Sequence, residues 1–183
     1  NFKYSNYAYS YLGMVIEAVS GMTYEEYVTE HIINKLGLAD TYPELSPEAE
    51  KKLAKGHTPV LFNSERKLVE HADTMGMSAA TGFCSTASDL CKYFSAHCYG
   101  NNTLISDTSK REMQHGYWSA ERNEESYGLG VAVYHHNKNT LFGHGGGFPG
   151  FITNTRFEAE QKLVVSVLTN AWDGPASLIA KRI

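Results

Sequence analysis

The stretch Gly143-His144-Gly145-Gly146-Gly147-Phe148-Pro149-Gly150-Phe151 limits what this chain can fold into more than any other. Its glycines and its proline argue against an ordinary strand or helix interior. Yet strand-like runs lie on either side, at 127–134 and 162–170. Glycine in a strand context marks a place where something approaches the backbone closely. A histidine there can meet the same visitor with a titratable ring. The sequence therefore predicts a sheet edge, carrying His144, that is open to a small polar substrate. A glycine-rich hairpin with a surface histidine is the plainer reading of the same residues.

A second motif, Tyr4-Ser5-Asn6, stands just before an apolar-periodic segment carrying Tyr11, Leu12, Val15, Ile16 and Val19. A tyrosine in a loop and an asparagine two residues on can point the same way. The phenol could exchange a proton, and the amide could both donate to and accept from a substrate amide. A tyrosine that works as a base near neutral pH needs cationic neighbours, because its reference pKa is about 10. The duller reading is a helix entry with Asn6 near the N-cap.

Tyr-x-Asn followed far downstream by His-Gly-Gly-Gly resembles the penicillin-recognising serine hydrolases: class C β-lactamases, DD-peptidases, D-aminopeptidases and related esterases. Leu36-Gly37-Leu38-Ala39-Asp40-Thr41, the segment from Ala80 to Leu90, and Tyr127-Gly128-Leu129-Gly130 are similar to further segments of that family, in the same order. The family also has a Ser-x-x-Lys element, with the nucleophile at a helix start. It should precede Tyr4. The one literal match, Ser64-Glu65-Arg66-Lys67, lacks the apolar run that would bury a nucleophile helix, and a hairpin turn is expected there instead.

The resemblance therefore implies the C-terminal portion of a β-lactamase/transpeptidase-like serine hydrolase, without its nucleophile. It implies that Tyr4 relays the proton of the serine and that Asn6 binds the substrate amide. It implies that His144 stabilises substrate charge or tunes Tyr4. Gly145 stands where the family often has threonine, which removes one hydroxyl contact and weakens the case for binding a carboxylate. Gly146 lets substrate lie along the strand, and the Gly147 N–H is one oxyanion donor. The implied substrate is a small peptide, a β-lactam or an ester. A non-catalytic binding module that keeps the cleft walls is the alternative. The isolated chain is expected to be inactive.

The rest of the sequence bounds these readings. Sixteen Lys and Arg against twenty Asp and Glu give a net charge of −4, with no basic stripe, so nucleic acid is not an expected partner. No apolar run approaches the roughly 20 residues of a membrane span. No cofactor is expected. Cys84, Cys91 and Cys98 form no disulfide pattern and, with His97, match no zinc spacing. Free thiols favour a reducing compartment, whereas the resembling family is often exported, so localisation stays open. His135 and His136 are expected at the surface, Trp118 and Trp172 in packing, and Asp89 as a helix first-turn anion.

The expected fold class is α+β. Residues 1–125 read as a mostly helical region carrying Tyr-Ser-Asn, and 126–183 as an antiparallel sheet with His-Gly-Gly plus a closing helix. Helices are expected from 7 or 9 to 20, from 24 to about 35 behind a Thr23/Glu26 capping box, from 86 towards 100, and from 106 to about 115. Cys91 and Cys98 would share a face of the third of these. Strands are expected at 127–134, 140–144, 150–158 and 162–170, with turns at 137–139 and 158–161. In the resembling family the sheet is completed by strands from the N-terminal segment. The strand 162–170 would then be an unpaired edge, inviting self-association.

Overall fold

Capping chemistry sets the helix boundaries. In the computed structural model, which describes residues 2–61, 65–74, 76–119, 125–136 and 138–182, α1 spans Asn6–Ser20. The Ser5 hydroxyl accepts from the Ala8 N–H at its start, and Gly21 closes it with φ 72°. The Thr23 hydroxyl accepts from the Glu26 N–H, and the Glu26 carboxylate accepts from the Thr23 N–H, opening α2 (Tyr24–Val28). A wide π turn, Thr29–Ile33, carries α2 into α3 (Asn34–Leu36). The extra residue in that turn rotates the apolar face, so Ile33 and Leu38 join Val28 in a buried cluster.

Ser46 caps α4 (Pro47–Lys52), Thr86 caps α5 (Ala87–Ser95), and Ser106 caps α6 (Asp107–Gln114). Helix α5 ends at Ser95, short of the expected limit near residue 100, so Cys98 lies beyond the helix and does not share a face with Cys91. Cys98 is buried in the sheet-side core. Asp89 sits in the first turn of α5, almost fully buried. It accepts from the Asp40 N–H, the Thr41 hydroxyl and the Lys92 ammonium. It thus ties the 40–41 turn to α5.

Six strands among the described residues form one antiparallel sheet in sequential order. They are β1 (Trp118–Ser119), β2 (Glu125–Tyr127), β3 (Ala132–His136), β4 (Asn139–Phe148), β5 (Phe151–Glu158) and β6 (Leu163–Thr169). The expected single strand 127–134 is instead the end of β2, a tight reversal and the start of β3. Gly128 donates to the Val131 carbonyl, and Gly130 takes φ 75°, which a side-chain-bearing residue rarely adopts.

Strand β4 does not stop at His144; it runs through all the glycines to Phe148. Each residue from Phe142 to Phe148 has a register partner in β5, so the ladder imposes the extended conformation that glycine alone would not hold. A Pro149-Gly150 turn with Gly150 at φ 86° joins the two strands. The expected turn at 137–139 includes Asn137, and the expected turn around Asn63 and Ser64 falls on 62–64; both positions are outside the described residues. The structure describes no side chain for His136, while His135 is exposed.

Helices cover both faces of β5. Phe157 packs with Phe142, Val131, Val133 and Cys98, and against Phe94 of α5. On the other face Asn154 donates to the Ser177 hydroxyl of α7 (Ala176–Ala180). Trp118 and Trp172, expected in packing, are 43% and 44% exposed. The segment 55–60 is laced to the sheet end. Its anchors are the His57 N–H to the Gly150 carbonyl, the Trp172 N–H to the His57 carbonyl, and the Asn170 amide to the Lys55 carbonyl. No described helix is long and apolar enough to cross a membrane.

Candidate active site

The first wall of the site follows from how α1 begins. Ser5 takes the capping role, so the side chain of Asn6, the first helical residue, is not spent on the cap. Tyr4 and Asn6 flank the cap and both face one cavity of about 860 Å³. Tyr4 is more than half exposed.

The opposite wall is β4. His144, Gly145, Gly146 and Gly147 all line the same cavity as Tyr4 and Asn6. The rings of Tyr4 and His144 have centroids 6.0 Å apart. Strand β3 pairs with β4 only as far as Gly143, and beyond it β4 is paired on the β5 side alone among the described residues. The main chain after Gly143 therefore offers unpaired groups on its β3 side. With no side chains on three consecutive residues, an extended ligand can approach this backbone closely.

His144 is held by two hydrogen bonds. Its Nε2 lies 2.8 Å from the Tyr127 hydroxyl, and its Nδ1 lies 2.5 Å from the Gly145 carbonyl oxygen. Tyr127 stands edge-on to Tyr4 and to His144, with centroids at 6.1 and 5.9 Å, and Phe2 covers its other side at 4.9 Å. Burial, and then the neighbouring phenols of Tyr4, Tyr9 and Tyr134, push the Tyr127 phenol well above the usual tyrosine range. It therefore keeps its proton at any working pH. Register explains its position: Tyr127 pairs with Ala132, which pairs with Gly143.

Two further groups in the cavity, His71 and Lys52, belong to no segment singled out in the sequence, and Asp40 joins them from the end of the 36–41 segment. His71 lies 5.2 Å from the Phe148 ring, and its buried Nδ1 has no hydrogen-bond partner. Lys52 and Asp40 both line the cavity but bind each other at 2.5 Å, and the Asp40 carboxylate pushes the ammonium up from its usual range. Only register and chain tracing bring these residues to the cleft. Trp118 and Trp172 are not among its lining residues. Ser64 lies outside the described residues. Among the described residues no group of three or more His, Cys, Asp or Glu is placed to hold a metal ion.

Comparison with known proteins follows the same outline. The family model described as Beta-lactamase matches residues 1–183. The serine beta-lactamase-like protein LACTB of Homo sapiens, a mitochondrial protein, is 29% identical over 122 residues, which are 66% of this chain and 22% of that protein. The octameric penicillin-binding protein homologue of Pyrococcus abyssi superposes with a TM-score of 0.84 at 30% identity, over 98% of this chain and 41% of that one. A D-stereospecific amidohydrolase from Streptomyces sp. shares the fold, with a TM-score of 0.83 at 23% identity, over 100% of this chain and 54% of that one. The chain thus spans about half, or less, of the length of the proteins it matches.

Proposed function

Because the chain belongs to the beta-lactamase family of serine hydrolases, we propose that it supplies the substrate-holding and proton-moving walls of an acyl-transfer site. The reaction is hydrolysis of an amide or ester through an acyl-serine. The serine is contributed by a Ser-x-x-Lys segment outside these 183 residues. Tyr4 takes and returns the proton of that serine, and Asn6 pairs with the substrate amide. The Gly145–Gly147 backbone aligns the substrate, and the Gly147 N–H stabilises the oxyanion; a donor of this kind is worth about 10²–10³ in rate.

One observation carries this reading. Tyr4, Asn6 and His144–Gly147, far apart in sequence, line one cavity around an unpaired strand edge. Two features favour a neutral substrate at this wall over a carboxylate. Gly145 offers no hydroxyl, and Lys52, the one lysine lining the cavity among the described residues, is already paired with Asp40. Short peptide amides and esters fit this better than β-lactams. Membership of the beta-lactamase family supports hydrolase chemistry as the general frame. We further infer that copies of the chain associate through the open edge of β6.

A fluorophosphonate probe, a chromogenic ester and nitrocefin test the reading. The 183-residue chain should fail all three. A longer form carrying Ser-x-x-Lys ahead of Asn1 should label at that serine and turn over the ester, and Tyr4→Phe in it should lower kcat by at least about 10²-fold without unfolding it. Labelling of Ser64 in the short chain, or normal turnover by the Tyr4→Phe form, would overturn the assignment.

A further inference from the structure

We propose that Tyr127 is a positioning residue for His144. Its phenol holds the imidazole in the Nδ1–H tautomer and occupies Nε2, so that neither ring nitrogen is left as a free proton donor. This inference rests on the reading of the cavity as an acyl-transfer cleft, and it takes His144 out of the proton path that the reading gives to Tyr4.

The hydrogen inventory leads there directly. The Gly145 carbonyl can only accept, so the hydrogen in the 2.5 Å contact belongs to Nδ1. In the neutral imidazole Nε2 is then bare and can only accept, so its contact at 2.8 Å is completed by the hydrogen of the phenol. Tyr127 keeps that hydrogen, because burial and the surrounding phenols disfavour its anion. The tautomer of a histidine is set by the bond its other nitrogen makes, and here both nitrogens are engaged.

The phenol itself is fixed from three directions. Phe2 packs on it at 4.9 Å, Tyr4 meets it edge-on, and the β2–β3–β4 register sets its height beside Gly143. The other described titratable groups lining the cavity are Tyr4, Asp40, Tyr42, Lys52, His71 and Cys84, and of these Asp40 and Lys52 neutralise each other. His144 thereby becomes a rigid wall for the substrate. Proton transfer is left to Tyr4, whose ring abuts both His144 and Tyr127 without being tied to either in a hydrogen bond among those described.

The test needs neither substrate nor nucleophile. Long-range 15N–1H correlation spectra of the 183-residue chain at pH 8 report the tautomer of each of its eight histidines, and His144→Gln identifies the signals of His144. We expect a protonated Nδ1 and a bare Nε2 in the parent chain. Tyr127→Phe should shift His144 towards the Nε2–H form by about fivefold in the tautomer ratio, the equivalent of one hydrogen bond, with the other histidine signals unmoved. A parent chain with His144 in the Nε2–H form overturns the proposal, as does a Tyr127→Phe spectrum unchanged at His144. If Tyr127→Phe does not fold, the parent spectrum alone decides. The outcome is separable from the hydrolase reading: a locked tautomer in a protein that never labels with fluorophosphonate sinks the reading and leaves the positioning contact standing.

Discussion

A single methyl group separates the roles of the β4 glycines. A Cβ on Gly143 would lie 2.0 Å from the Thr155 carbonyl oxygen and 3.0 Å from the Arg156 Cα, at a backbone φ of 154°. Both obstacles are backbone, so nothing can rotate away. A Cβ on Gly147 would meet only the Ile152 Cδ1, at 3.6 Å, an ordinary contact. We expect Gly143→Ala to cost about 2 kcal/mol or more in urea unfolding, and Gly147→Ala to stay within about 0.5 kcal/mol. The first glycine holds β4 against β5, and the third of the consecutive run is free to serve a ligand. Equal losses for both variants would refute this division. At this scale Tyr4, Asn6 and His144 stand out because their neighbours in sequence advertise them: a cap, a helix start and a glycine run. His71 has no such local sign, and Tyr127, though it opens the Tyr-Gly-Leu-Gly segment, has none that points to its contact with His144. A straight strand through 127–134 in the observed β3–β4 register would have put Tyr127 opposite Phe148; the reversal at Gly128–Val131 returns it to the level of His144.

Helix α5 carries opposite electrostatic devices at its two ends, and they act in different pH windows. At the start, burial pushes the Asp89 carboxyl up, but the Asp40 N–H, Lys92 and Thr41 outweigh it and hold it below the ordinary aspartate range. Its contribution is present above the unfolded pKa of about 3.9 and is lost only as pH falls through the lower folded value. Just past the end, His97 is enclosed by Tyr93, Phe94 and Phe157, and its Nδ1 has no partner. Burial, then the nearby Lys110 ammonium, push it down from 6.5 to about 4. Between those values the unfolded chain binds the proton and the folded chain does not. Stability should therefore rise with pH from about 4 to 6.5 and level off above, by on the order of 3 kcal/mol in total. Urea titrations at pH 4.5, 5.5 and 7.5 measure the slope, and His97→Leu should flatten it; a slope that survives the substitution assigns the effect elsewhere. The elements themselves divide by what defines them. Caps at Ser5, Thr23, Ser46, Thr86 and Ser106 are local chemistry, so most helix starts were legible in the sequence. The β2–β3 reversal and the passage of β4 through its glycines depend on partners tens of residues away, and composition alone argued the other way at the glycines.

At the scale of the whole molecule the decisive fact is which surfaces the sheet leaves open. Strand β6 pairs with β5 on one side and, among the described residues, with no strand on the other. Its sequence, Leu-Val-Val-Ser-Val-Leu-Thr, holds no charge and no proline, the usual guards of an exposed edge. Helix α1 adds a second open surface, with Tyr7, Tyr11, Leu12, Met14, Val15 and Val19 all more than half exposed. These surfaces would drive association differently. Edge pairing gives directional main-chain hydrogen bonds between two β6 strands, whereas the helix face offers only apolar area. The unguarded edge should dominate, because every second residue of β6 turns its N–H and C=O groups away from β5. We expect light scattering on a size-exclusion column to show a mass that grows with concentration. Leu163→Lys, at a position already 54% exposed, places a charge on that edge and should return the chain towards monomer at little cost in stability. The double variant Tyr11→Lys, Val15→Lys should leave the association largely intact. The reverse pattern, with the helix variant monomeric and the edge variant still associated, would move the contact from β6 to α1.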